Sequence, residues 1–100
     1  MWRMTEYTSK LQIAVERLFN CPATFSETVP IREEVDGKVV WEGEVKVFDL
    51  VGHPKARRCY AWAHPNDNRR TVALLEIPPV TTALAAVKAS LIAESKQRKA

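Results

Sequence analysis

Glycine is scarce in this chain: three residues in 100, none of them in a glycine-rich run. That excludes the phosphate-cradling loops of nucleotide-binding domains, which need several glycines at fixed spacing before a helix. Cysteine and histidine are limited to two each. Cys21 and Cys59 form no Cys-x-x-Cys pattern. His53 and His64, each followed by proline, stand at no ligand spacing from the cysteines, Asp49 or Asp67 that a metal motif would use. The expectation is no metal, no cofactor and two reduced thiols packed as small apolar side chains.

The serines, Ser9, Ser26, Ser90 and Ser95, lack any local nucleophile signature such as Gly-x-Ser-x-Gly. No arrangement of nucleophile, base and orienting group is legible. Glu42 and Glu44 fall on one face of a strand-like run, a spacing compatible with acid–base work, but on an outer face such pairs are solvated charge. The expectation is a protein without catalytic activity. No apolar run approaches the roughly 20 residues of a membrane-spanning helix. The opening residues Met1-Trp-Arg-Met-Thr-Glu-Tyr-Thr-Ser9 hold no continuous apolar core, so the expected location is cytoplasmic, with no membrane partner.

A strong excess of one charge is lacking too. Fifteen Lys and Arg face twelve Asp and Glu, giving a net charge of +3. That falls short of a dedicated nucleic-acid binder. Lys96, Arg98 and Lys99, at the end of the chain, suit the negative end of a helix dipole.

What is present is an ordinary globular composition, 46% hydrophobic and 27% charged, in a length that makes one domain. The chain is organised around Trp41 to Ile77, where three strand-like runs are separated by two loops. Before it, Thr5 to Asn20 has helical spacing, with Leu11, Ala14, Val15, Leu18 and Phe19 on one face. Ser9 with Gln12 fits a capping box, and Asn20 with Pro22 ends the helix. An edge strand follows from about Thr28 to Val35, interrupted by Pro30. Asp36-Gly37 is a hairpin turn into a second strand starting at Lys38.

In that second strand Trp41, Gly43, Val45 and Val47 alternate with Glu42, Glu44 and Lys46. The pattern slips at Phe48 and Leu50, which predicts either a bulge near Val47–Phe48 or cover on both faces. Gly43 predicts a kink or close packing. In the third run Cys59, Ala61 and Ala63 make a small face and Tyr60, Trp62 and His64 an aromatic one. The small face suits close helix packing and would turn the aromatics outward; the reverse assignment stays open. Thr71 to Ile77, apolar on both faces, predicts a central fourth strand. After Pro78-Pro79, Thr81 or Thr82 caps a helix from Ala83 to about Arg98, with Leu84, Ala86, Val87, Leu91 and Ile92 as its buried stripe.

The fold expected is therefore α+β: an N-terminal helix, a four-stranded antiparallel meander and a C-terminal helix in a single domain over 1–100. Both helices are expected on one sheet face, and 1–6 and 97–100 are expected to fray. This order resembles, at the level of fold alone, that of double-stranded-RNA-binding domains. Those carry a lysine cluster at the start of the last helix, where this chain reads Val80-Thr-Thr-Ala-Leu-Ala85, so the resemblance implies no RNA binding.

Two functional expectations follow from aromatics turned outward. Lys46, Phe48, Arg57, Arg58, Tyr60, Trp62 and His64 would form one surface. As an apolar patch it would serve a non-catalytic protein-interaction or self-association module, with a protein partner or a homodimer. As an aromatic and basic sheet face it would bind nucleic acid weakly and without strong sequence preference.

Overall fold

The computed structural model describes residues 4–64 and 67–98, with side chains described for 7–64 and 70–95. The elements follow the expected order: helix α1 (Met4–Phe19), strands β1 (Ala23–Val35), β2 (Lys38–Leu50), β3 (Arg58–His64) and β4 (Asp67–Leu75), and helix α2 (Ala83–Arg98). The strands form one antiparallel sheet in the order β1-β2-β3-β4. Met4 and Arg98 are both helical; the remainder of the fraying expected at the chain ends concerns positions largely outside the described side chains.

Local chemistry accounts for the boundaries. Asn20 takes a left-handed backbone, φ 52°, and ends α1 ahead of Pro22. Two side-chain bonds then fasten the start of β1 to the helix: Gln12 Nε2 donates to the Ala23 carbonyl at 2.8 Å, and Glu16 Oε2 accepts from the Ala23 N–H at 2.9 Å. β1 therefore starts earlier than the expected Thr28. Asp36 (φ 53°) and Gly37 (φ 78°) are both left-handed, as a two-residue hairpin requires. Thr82 Oγ1 caps α2 by accepting from the Ala85 N–H at 3.1 Å.

The helices lie on opposite faces of the sheet, which corrects the expectation of a single covered face. Alternation fixes the assignment. Leu11 and Val15 of α1 pack with Phe48, Leu50, Cys59 and Ala61. Ala83, Ala86 and Val87 of α2 pack with Trp41, Val45, Val47, Tyr60 and Trp62. Within each strand these two sets are of opposite parity and project to opposite sides. The reason is compositional: β2 and β3 are apolar on both faces, so one layer of helix cannot keep them dry. The volumes match as well. Large helix residues meet the small face of β3, and the alanines of α2 meet its aromatic face. The bulge expected near Val47–Phe48 lies opposite them on β1, where the register shifts between Phe25 and Glu27, while against β3 their partners Tyr60 and Cys59 follow in regular register. The slip in pattern there marks burial on both sides.

Two further expectations change. β4 is an edge strand, since its only neighbour is β3; its apolar residues on both faces answer to two helix layers, not to two flanking strands. The buried stripe of α1 runs Tyr7, Leu11, Val15 and Phe19, leaving Leu18 60% exposed. On α2, likewise, Leu84 and Ile92 are exposed.

The ladder between β2 and β3 is short, Lys46–Asp49 against Arg58–Ala61. Beyond it the strands part. The Ala63 N–H, which would have met β2, donates instead to the Tyr7 hydroxyl at 2.9 Å. The β1–β2 hairpin thus continues as an arm beyond β3. On the arm the Trp41 indole lies along its own strand over Gly43, where a Cβ would come within 3.1 Å of the ring. This is the close packing that Gly43 foretells.

Candidate functional site: strand edges and a cleft

The seven residues expected to form one binding surface do not form one. Lys46 and Phe48 are buried on the α1 side, and Tyr60 and Trp62 are buried on the α2 side. His64, at the end of β3, is half-buried, with Nε2 2.6 Å from Glu94 Oε1 of α2. Arg57 and Arg58 are exposed, and Arg58 Nε donates to Asp49 Oδ1 at 3.0 Å. The stacking platform that nucleic-acid binding would use is thus core. What remains outside is the cluster of Lys55, Arg57 and Arg58 where the loop after β2 enters β3.

Lys46 is the unexpected member of the core, 1% exposed. Its Nζ donates to Thr28 Oγ1 at 2.9 Å and stands 3.7 Å from Glu44 Oε1. It also lies 5.7 Å from the centroid of the Tyr7 ring and 5.9 Å from that of Phe25. Beneath the splay of β2 and β3, its stem fills the space next to Phe48 while its head is held by one hydroxyl and two aromatic faces.

A cleft of about 340 Å³ opens at the start of α2, lined by Val29, Ile31, Arg58, Tyr60, Glu76 and Thr82 among others. Across it the Tyr60 hydroxyl donates to Glu76 Oε2 at 2.5 Å. Burial, then the hydrogen bond and charge of Glu76, push the Tyr60 phenol upward from its ordinary value. The hydroxyl is a fixed donor at neutral pH. On the other face, burial pushes the Cys59 thiol from near 9 up to about 12, with Cys21 beside the same core adding to the rise. A thiol so placed is inert as a nucleophile. His53 is a turn residue: Nδ1 accepts from the Lys55 and Ala56 N–H groups at 3.0 and 3.2 Å.

Cys59 and Tyr60 give a pH dependence of known sign. Both are neutral in the folded protein at pH values where the unfolded chain begins to lose their protons. Their contribution to stability is whole below about pH 9 and is lost as pH rises toward 12. Above the unfolded values the loss approaches about 1.4 kcal/mol per pH unit for each group. Urea midpoints measured between pH 8 and 11 should fall, and Cys59→Ala should flatten the fall. A midpoint that holds or rises over that range contradicts the assignment.

The sheet edges are the remaining candidates. Main-chain groups alternate in direction along a strand, and one bond fixes the phase. The Glu76 N–H donates to the Arg58 carbonyl at 2.9 Å, so the main-chain groups of Val72, Leu74 and Glu76 turn toward β3. Those of Thr71, Ala73 and Leu75 turn outward. The Leu75 carbonyl accepts from the Ile77 N–H at 2.9 Å; no described residue bonds the outward groups of Thr71 or Ala73. On β1, the bond from Leu50 N–H to the Arg57 carbonyl sets the phase through β2 and turns Thr28 and Pro30 outward. Pro30 has no N–H to offer, and the register shifts between Phe25 and Glu27. The β1 edge is blunted by a proline and a bulge, two common guards of exposed edges. From Thr71 to Leu75 the β4 edge has neither; its own register shift, opposite Ala63 and His64, lies between Asp67 and Thr71.

The arm carries its own signature. Glu33, Glu34, Asp36, Glu42 and Glu44 oppose only Arg32 and Lys38 between positions 29 and 45, so five of the twelve acidic residues sit on it. Near its tip Val35, Val39 and Val40 are 54%, 43% and 45% exposed.

Comparison with known proteins finds no matching family model, no similar curated protein and no similar solved structure. No helix among the described residues is long and apolar enough to cross a membrane. Sequence reasoning did not single out the β4 edge or the Tyr60–Glu76 pair. The signal for the edge was present, an apolar run free of proline and charge between Arg70 and Glu76. It was hidden by reading the strand as central.

Proposed function

We propose that this chain is a non-catalytic interaction module that associates with polypeptide, a second copy of itself first, through the free edges of its sheet and the β1–β2 arm. One observation carries the reading: valines stand 43–54% exposed on a β-arm that overhangs the sheet. Such exposed apolar groups on a hairpin that only one further strand flanks at its base suit contact with another chain. The mixed net charge and the acidic arm fit a protein partner better than a phosphate backbone.

Sedimentation velocity over a wide concentration range, at moderate salt, tests it. The expected result is a species heavier than one 11.3 kDa chain, or a partner polypeptide that Val39→Lys on the arm releases. A single chain at every concentration that binds no polypeptide overturns the proposal. Oligonucleotide binding at low salt that vanishes in added salt, without self-association, would replace it with the nucleic-acid reading.

A further inference from the structure

The β4 edge is self-complementary, and this deepens the reading just given, on which it rests. From Arg70 to Glu76 the strand reads Arg-Thr-Val-Ala-Leu-Leu-Glu. A cation stands at one end, an anion at the other, and five uncharged residues lie between. If two such strands pair antiparallel about a two-fold axis at Ala73, each residue n faces residue 146 − n of the other chain. Arg70 then faces Glu76, Thr71 faces Leu75, Val72 faces Leu74 and Ala73 faces itself.

The main-chain phase derived above fits the same axis. Ala73 turns both its N–H and its carbonyl outward, so the two central residues exchange two hydrogen bonds. Each Thr71–Leu75 pair adds two more. The Leu75 carbonyl already accepts from Ile77, and a carbonyl oxygen has a second lone pair. The side chains fit as well. Val72 and Leu74 pack on the α2 side of the sheet. Arg70 and Glu76 bracket them at the same parity, with Arg70 where β4 shifts register against β3, and opposed residues in an antiparallel pair project to the same side. Arg70 is exposed. Glu76 uses Oε2 for Tyr60, which leaves Oε1 for the guanidinium.

We infer that two copies of this chain dimerise through β4, joining their sheets into one eight-stranded antiparallel sheet with the α1 helices on one side and the α2 helices on the other. The other edges fit a second copy less well. β1 is interrupted by Pro30 and a bulge, and the overhang of β2 presents Glu42 and Glu44. The charge pattern also favours a copy of this chain over a foreign strand, because a two-fold axis satisfies both ion pairs at once.

The experiment compares the dimerisation of wild type, Arg70→Glu, Glu76→Arg and Ala73→Pro by sedimentation equilibrium, with far-UV circular dichroism to establish that each is folded. Wild type is expected to be a dimer. Arg70→Glu sets glutamate against glutamate at both symmetry-related positions and should weaken dimerisation about tenfold or more. Ala73→Pro removes only an outward N–H, so the fold should persist and the dimer should not. Mixing Arg70→Glu with Glu76→Arg restores both pairs and should yield a heterodimer where each variant alone is mainly monomeric. A wild-type dimer that Arg70→Glu and Ala73→Pro leave intact overturns the β4 assignment and keeps the broader reading. A monomer that binds another polypeptide does the same. A monomer that binds nothing overturns both.

Discussion

Trp62→Ala is expected to lower the stability of the protein by about 3–5 kcal/mol, the range for emptying a large aromatic site in a core. The ring is 2% exposed. It meets Trp41 edge to face, with centroids 5.6 Å apart and planes at 71°. The rest of its surroundings are Ala83, Ala86 and Val87 of α2 with Val45, Val47 and Tyr60 of the sheet. The alanines of α2 have no side chain long enough to fill the space, so most of the cavity would persist. A domain of this size has a total of roughly 5–15 kcal/mol to lose, and the change corresponds to a fall of about 12–40 °C in Tm. Thermal unfolding followed by circular dichroism measures it. This outcome separates the fold described here from one with the aromatic face outward, in which the same substitution would weaken association and leave Tm nearly unchanged. A loss under about 1 kcal/mol would place the ring at a surface.

The reason the sequence left that choice open is visible in β3 itself. Cys59, Ala61 and Ala63 alternate with Tyr60, Trp62 and His64, and both sets are compatible with burial. Periodicity of two separates the faces of a strand but does not count the layers that cover them. The slip at Phe48 and Leu50 offered two explanations, bulge or double cover, and both are present: β1 shifts register opposite Val47 and Phe48, and α1 covers Phe48 and Leu50. Features set by local chemistry fared better. The Asp36-Gly37 turn, the stop at Asn20 ahead of Pro22, the cap before Ala83 and the order of the six elements all depend on backbone preferences over a few residues. The position of β4 did not, because apolar residues on both faces report two covering layers and say nothing about lateral neighbours. The candidate surface failed for the same reason as the face assignment. Its aromatics were placed outside by supposing that one layer of helices sufficed. The acidic arm was legible in composition but not as an arm, since that requires knowing that the β2–β3 ladder stops at Lys46.

Lys46 shows the converse limit, a residue whose type argues for solvent and whose position denies it. Replacing it with methionine is expected to stabilise the protein by about 1–3 kcal/mol, the usual result when a poorly compensated buried charge gives way to an apolar side chain of similar length. Its compensation is thin: one neutral hydroxyl at 2.9 Å and a carboxylate at 3.7 Å. The side chain of Glu44 is 51% exposed, so water screens that pair and would rehydrate the carboxylate at little cost. Thr28, half-buried on the edge strand, is near enough to solvent to find a water. Methionine would keep the volume of the lysine stem, and its sulfur suits the Tyr7 and Phe25 rings near which Nζ now lies. Lys46→Ala, by contrast, removes the stem as well and should cost about 2–3 kcal/mol through the cavity. Urea unfolding of the two variants apportions charge and stem. If methionine and alanine destabilise equally, the ammonium stabilises the core through its rings and hydroxyl. A gain for methionine with a loss for alanine means that the aliphatic stem holds the splayed strands together and that the charge is tolerated at a cost.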